Sequence, residues 1–300
     1  NMQRRTFLQM LPIAATGILL GTSACSSSDE GSHATASPGG LSTSASSEET
    51  YTVKTEELSF QSDGNRIYGK IRIPEATGQR PVAIMSHGFG GNHDQESHMQ
   101  DILAQHGIVV FSYDFSGGSG YVPGQSEGDM TDMSVFTEVQ NLRDALKEVE
   151  KLTYVDSRRI YLIGASQGGV VTTLVANQHP AGVQGIVLLY PAFSLFDDAH
   201  KRFPTEADIP NTYDLMGLTV GRRYFTDVYN VDIYKHMSKF SGNVLIFHGA
   251  ADELVPISYS ERAAKTFTTA TLKPIDGEGH GFSYQTQEIV ADATLKMINS

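Results

Sequence analysis

The sequence is short of several things. It has one cysteine, no tryptophan, and fewer basic than acidic residues, 22 Lys+Arg against 34 Asp+Glu, for a formal charge of −12. One cysteine makes neither an internal disulfide nor a thiolate metal cage. The acidic excess repels phosphate backbones and argues against a nucleic-acid partner. Long hydrophobic runs are scarce too. The apolar stretch from Leu11 to Gly21 covers roughly 18 Å as a helix, against about 30 Å of bilayer hydrocarbon, and is too short to span it. What is present, 40% hydrophobic residues over 300 positions, excludes wholesale disorder. It suits one α/β domain of about 250 residues.

Asn1 stands before Met2, which reads as the start. Gln3-Arg4-Arg5-Thr6-Phe7-Leu8 gives a basic head to the apolar stretch, so residues 1–24 read as a signal peptide. The arginine pair followed by Phe-Leu resembles a twin-arginine export signal. Thr22-Ser23-Ala24-Cys25 resembles the lipobox of bacterial lipoproteins, although that motif usually has an aliphatic residue where Thr22 stands. The resemblance implies lipid attachment at Cys25 and an exported, membrane-anchored protein. The alternative is an ordinary secretory cleavage site and a soluble secreted protein. Residues 25–50, rich in Ser, Gly and Thr with almost nothing to bury, read as a flexible tether.

From residue 51 the pattern changes. Tyr51–Ser62 and Asn65–Pro74, rich in β-branched and aromatic residues, flank Asp63-Gly64 and predict an antiparallel hairpin. Short continuous apolar runs follow at Val82–Met85, Ile108–Tyr113, Ile160–Ile163, Ile186–Leu189, Val244–Phe247 and Thr271–Ile275. Such runs mark strands buried on both faces of a parallel sheet. Helical stretches alternate with them: Met133–Leu152, Gly168–Gln178, Ser258–Phe267 and Gln287–Ile298. The alternation predicts an α/β fold, a mostly parallel twisted sheet flanked by helices. The segment 191–241, with nine Phe and Tyr residues from Phe193 to Phe240, is too long for a simple crossover and predicts a small inserted cap.

The chemistry gathers at the ends of these strands. Ile160-Tyr161-Leu162-Ile163-Gly164-Ala165-Ser166-Gln167-Gly168-Gly169 runs from a buried strand through Gly-x-Ser-x-Gly into a helix. That context makes Ser166 a candidate nucleophile at a sharp elbow. A serine hydroxyl needs a base, and the base an orienting carboxylate. His280, in the glycine-rich Asp276–Phe282 loop, and Asp252, just beyond a strand, supply them, and the chain order Ser, Asp, His fits. Glu253 and Asp276 are weaker candidates for the acid. His248, ending a buried run, is expected to pack beneath the site. Ser86-His87-Gly88-Phe89-Gly90-Gly91 follows a strand where an oxyanion loop belongs. The backbone N–H groups of Phe89 and Gln167 are the expected donors, with His87 stabilising the loop. His93, His98 and His106 lack metal-ligand spacing and are expected at the surface. Asp114–Gly120 lacks both the Walker lysine and dinucleotide spacing and reads as a turn bordering the pocket. No metal or other cofactor is implied.

His87-Gly88-Phe89-Gly90-Gly91-Asn92, Tyr113-Asp114-Phe115, Met133–Glu138, Ala165-Ser166-Gln167-Gly168-Gly169, Asp252 and His280 together resemble the α/β-hydrolase superfamily. More narrowly, residues 51–300 resemble bacterial feruloyl/cinnamoyl esterases. The resemblance implies hydrolysis of a small-molecule ester, of a hydroxycinnamic acid, with segment 191–241 shaping an aromatic pocket. The turn 116–128 is longer than the group's usual link, and the chain has no tryptophan to offer that pocket. Alternative readings are a general short-chain carboxylesterase, a prolyl-oligopeptidase-type peptidase, and an idle binding protein on the same fold.

Overall fold

Backbone amides buried inside a protein must find partners, and the apolar runs satisfy theirs by pairing side by side. The computed structural model describes residues 50–300 apart from residue 179. The expected leader over 1–24, Cys25, and the tether up to residue 49 lie outside the described residues.

Along the chain come β1 (Val53–Glu57), β2 (Phe60–Ser62), β3 (Asn65–Ile67), β4 (Gly69–Pro74), β5 (Arg80–Ser86), α1 (Ser97–Gln105) and β6 (Val109–Tyr113). Next are α2 (Val135–Val149), β7 (Val155–Ala165), α3 (Gln167–Ala176) and β8 (Val183–Leu189). Then α4 (Leu195–Arg202), β9 (Thr212–Leu215), β10 (Leu218–Gly221) and α5 (Arg223–Thr226) precede β11 (Asn243–Gly249). The chain closes with α6 (Ser258–Thr266), β12 (Ala270–Ile275) and α7 (Tyr284–Asn299).

Eight strands form one sheet in the order β1-β4-β6-β5-β7-β8-β11-β12. Within it β4 runs against its neighbours β1 and β6, and the pairs from β6 to β12 are parallel. The predicted hairpin forms but splits in two. Its base, β1 and β4, joins the sheet, with Val53 opposite Pro74. Its tip, β2 and β3, pairs separately, with Phe60 opposite Ile67. The tip leaves the sheet because it packs on α2, where Ser62 Oγ donates to Asp144 and accepts from Asn141.

Helices cover both faces, which is why the central strands can be apolar throughout. On one face Met99 and Leu103 of α1 meet Val290 and Leu295 of α7 over Met85, Ile163 and Leu189. On the other, Val139 and Leu142 of α2 and Val170 and Val171 of α3 cover Ile84, Leu162 and Leu188. Burying side chains of this size is worth about 1.5–3 kcal/mol each. The α1 helix goes unread in the sequence because it starts at Glu96, whose backbone is left-handed and makes no side-chain cap. By contrast α2 begins at a capping box formed by Ser134 and Thr137, two residues later than the apolar pattern suggests.

Between β8 and β11, α4, β9, β10 and α5 form a small unit over the strand ends. It is held by Phe203, Tyr213 and Phe225, whose ring centroids lie 4.9 to 5.5 Å apart. His93 is not at the surface as expected. It is buried, and both its backbone N–H and its Nδ1 lie 2.7 Å from Oδ1 of buried Asp114. This pair ties the start of α1 to the turn after β6. His98 and His106 are partly exposed.

Candidate active site

The turn after β7 is forced by close packing. A Cβ on Gly164 would lie 2.2 Å from the Gly168 carbonyl oxygen, and one on Gly168 2.2 Å from that of Ser86. Only glycine lets α3 start so near β5. Ser166 sits at the crest with φ +52° and ψ −118°, a strained backbone for a residue with a side chain. Its N–H donates to Leu189 O at 2.9 Å, and its carbonyl accepts from Gly169 and Ala192 at 3.0 Å, so the strain is held in place.

Ser166 Oγ lies 2.8 Å from His280 Nε2, and His280 Nδ1 lies 2.8 Å from Asp252 Oδ2. The carboxylate settles the tautomer: with the proton on Nδ1, Nε2 is free to accept from the serine hydroxyl. Asp252 Oδ1 accepts from the N–H groups of Leu254 and Val255, each at 2.9 Å. Burial by itself would raise the Asp252 carboxyl. Hydrogen bonds from His248, His280 and Val255 N–H outweigh it and hold the group well below the usual carboxylate range. Glu253 and Asp276, the other acids considered, are exposed. His248 is fully buried beneath the site, its Nε2 2.8 Å from Val255 O and 3.2 Å from Asp252 Oδ2, its Nδ1 2.8 Å from Ser260 Oγ.

Both expected donors border the cavity that Ser166 lines. In the loop after β5, Gly88 N donates to Gln95 Oε1 at 2.7 Å, Gly90 N to Gly118 O and Gly91 N to Gly88 O, each at 3.0 Å. The N–H of Phe89, and that of Gln167 at the start of α3, have no acceptor among the described residues. His87 braces the loop: Nδ1 donates to Gly88 O at 2.7 Å and Nε2 accepts from Phe115 N at 3.0 Å. Burial pushes its pKa down, which suits a neutral ring in both roles. The turn at 114–120 packs on this loop, and the residues that reach the cavity are Tyr121, Val122 and Pro123 just beyond it.

Two buried acids near the site were not assigned a role in the sequence. Glu138 of α2 accepts from Gln167 Nε2 at 2.8 Å, and Gln167 Oε1 accepts from the Tyr224 hydroxyl of α5 at 2.6 Å. Burial pushes the Glu138 carboxyl up to about 8. Glu96 accepts from the Tyr190 hydroxyl, and the Tyr190 ring packs against His280 with centroids 4.9 Å apart. Periodicity could mark Glu138 as a polar residue on the apolar stripe of α2. Nothing local marks Glu96.

Two cavities meet at Ser166 and His280. The smaller, about 90 Å³, lies under the unit between β8 and β11, lined by Phe89, Gln167, Leu195, Leu215, Tyr224 and Phe225. The larger, about 570 Å³, passes Glu96, Tyr121, Met216, Tyr190, Phe282 and Tyr284. Among the described residues no group of three or more His, Cys, Asp or Glu could hold a metal ion, and no helix is long and apolar enough to cross a membrane.

This geometry coincides with a family match: the prolyl oligopeptidase family, Peptidase_S9, aligns with residues 94–296, which span α1, the serine turn, Asp252 and His280. The chain belongs to the prolyl oligopeptidase family. It is also 25% identical to mouse (Mus musculus) monoglyceride lipase over 279 residues, covering 79% of this chain and 87% of the lipase. It is 32% identical over 136 residues to esterase EstD of Thermotoga maritima, covering 42% and 31%. Its fold matches that of Est1E from Butyrivibrio proteoclasticus, solved with ferulic acid bound, at TM-score 0.74 and 24% identity, covering 81% of this chain and 100% of that one. This prolyl oligopeptidase family member is a serine hydrolase with the α/β-hydrolase fold.

Proposed function

We propose that the protein hydrolyses carboxylic esters through an acyl-enzyme on Ser166. The observation that carries this is the continuous chain Ser166 Oγ, His280, Asp252, with both links at 2.8 Å, beside the Phe89 and Gln167 N–H groups, which have no acceptor among the described residues. Ser166 Oγ attacks the ester carbonyl carbon as its proton passes to His280 Nε2. The carbonyl electron pair moves to oxygen, which receives the N–H groups of Phe89 and Gln167. Each such donor is worth roughly 3–4 kcal/mol in the transition state. The oxyanion collapses, the C–O bond to the alcohol breaks, and His280 returns the proton to the departing oxygen. Water then attacks the acyl-serine with His280 again as base, releasing the acid. Asp252, ionised and hydrogen-bonded, stabilises the imidazolium in both halves.

The proposed acyl group is hydroxycinnamoyl, on the support of the aromatic walls Phe89, Tyr224 and Phe225 and the resemblance to feruloyl esterases. A short acyl group is the second reading, favoured by the 90 Å³ volume of that cavity. Replacing Ser166 by Ala should abolish hydrolysis and fluorophosphonate labelling, and activity at the wild-type level would refute the mechanism. Rates on methyl ferulate, p-nitrophenyl butyrate and an alanyl-prolyl anilide separate the two acyl readings from a peptidase. Residues 191–241 act as the cap in this scheme. We further propose export and membrane anchoring through lipid on Cys25. Radiolabelled palmitate should enter the wild-type chain in a bacterial host and not the Cys25→Ala variant.

A further inference from the structure

Phe89, Ser166, Met216, Leu254 and His280 border both cavities at once. All but Met216 already have work at the site. Ser166 and His280 carry the proposed chemistry, Phe89 offers an N–H to the oxyanion, and the Leu254 N–H holds Asp252. Met216 comes instead from the tip of the β9–β10 hairpin, within segment 191–241.

The backbone there is an unusual place for methionine. Leu215 lies opposite Leu218 across a two-residue turn, and both turn residues are left-handed, φ +54° at Met216 and +92° at Gly217. Such turns take Asn, Asp or Gly at the first position, and a bulky residue is an outlier. Strain of this kind persists only where the surroundings hold it, and it gathers at functional sites. Here the surroundings do hold it. Gly217 N donates to Asp214 Oδ1 at 2.8 Å, and the Tyr121 hydroxyl donates to Met216 O at 3.0 Å.

Tyr121 belongs to the long turn 116–128 after β6, and its ring packs on Phe89 with centroids 6.1 Å apart. The fit leaves little slack: a Cβ on Gly90 would lie 2.5 Å from the Tyr121 ring and 3.0 Å from Leu218 of the hairpin. The turn therefore clasps the hairpin tip to the loop that carries Phe89. A methionine side chain held at the junction is apolar, unbranched and suited to filling an irregular gap. We propose that Met216 is the partition between the two cavities, held in place by Tyr121, and that it limits the bulk of the acyl group beside the reacting carbonyl. An acyl group with one arm fits the small cavity. One that branches at the carbon next to the carbonyl needs room on both sides of Met216. The proposal rests on the ester-hydrolase reading above. It holds for a hydroxycinnamoyl group as for a short one, since neither branches at that carbon.

The test compares p-nitrophenyl butyrate with p-nitrophenyl diethylacetate, the same acyl group carrying a second ethyl on that carbon. The measured quantity is kcat/KM for the branched ester divided by that for the linear one. Dividing each variant's ratio by the wild-type ratio cancels the branched ester's lower intrinsic reactivity. Met216→Gly removes the side chain and suits the left-handed backbone. It should raise the ratio about tenfold, with a melting temperature close to that of wild type. Met216→Leu, of similar volume, should leave the ratio within about twofold of wild type. Tyr121→Phe loosens the hairpin tip and should move the ratio in the same direction as Met216→Gly, by a smaller factor. If Met216→Gly fails to fold, Met216→Ala carries the test with the same expectation. Equal loss on both esters, with the ratio unchanged, would show that Met216 only supports the fold and would overturn the proposal. A wild-type protein that cleaves the branched ester as fast as the linear one would overturn it too. Either result refutes this inference alone, whereas a wild-type protein that cleaves neither ester and resists fluorophosphonate refutes the underlying reading.

Discussion

Replacing Glu138 by Gln should make the protein less sensitive to alkali. Glu138 is 1% exposed, its Oε2 accepts from Gln167 Nε2, and no cation lies against it among the described residues. Burial raises its carboxyl, the Gln167 bond offsets only part of that, and the value moves from an ordinary 4.5 to about 8. The folded chain therefore binds this proton more tightly than the unfolded chain. The contribution to stability is complete below pH 4.5 and is lost as pH rises to 8. Each pH unit in that window removes about 1.4 kcal/mol. Between pH 5.5 and pH 8 the loss is on the order of 3 kcal/mol, a large part of a typical domain's stability. A glutamine at 138 does not ionise and still offers a carbonyl to Gln167. In urea unfolding, the stability of Glu138→Gln relative to wild type should rise by about that amount from pH 5.5 to pH 8. Glu96, also raised by burial, titrates in both proteins and cancels in the comparison. A relative stability that stays flat with pH would refute the account of Glu138 as an unpaired buried acid.

Asp252→Asn keeps the shape of the site but favours the wrong His280 tautomer, so kcat should fall by about 10⁴ with KM little changed, measured on p-nitrophenyl butyrate. Gly168→Ala places a methyl 2.2 Å from Ser86 O and 2.4 Å from His87 O, both backbone atoms. Thermal unfolding should show loss of several kcal/mol or of the fold altogether, and a melting temperature within a degree of wild type would contradict the packing at the elbow. Tyr224→Phe leaves Gln167 Oε1 buried without its 2.6 Å donor, at a cost of about 1–3 kcal/mol. Because Gln167 also carries a proposed oxyanion donor, kcat should fall in the same variant, and unchanged kcat with lowered stability would confine Tyr224 to a structural role.

Most of the scaffold is legible along the chain because its information is local. A continuous apolar run such as Val244–Phe247, too short for a helix, reads as a buried strand, and it forms the middle of β11. The run from Ile160 to Gly169 contains both the strand and the glycines that turn it, so the placement of Ser166 follows from ten neighbouring residues. Boundaries moved where capping decided them, as at Ser134. Where no local pattern existed, reading stopped: α1 starts on a left-handed glutamate, and its short apolar set resembles many loops.

The amino-acid sequence alone determined the alternating strands and helices, the elbow, and the order Ser166, Asp252, His280, since each depends on periodicity or on residues close in the chain. Only tertiary structure decided which polar groups lose water. His93 meets Asp114 across 21 residues, Gln167 meets Tyr224 across 57, and Glu96 meets Tyr190 across 94. Desolvation depends on what the fold packs around a side chain, and no window of sequence contains that. The split of the site into a small cavity and a large one, and the burial of Glu96 against Tyr190, exist only once those distant segments are brought together.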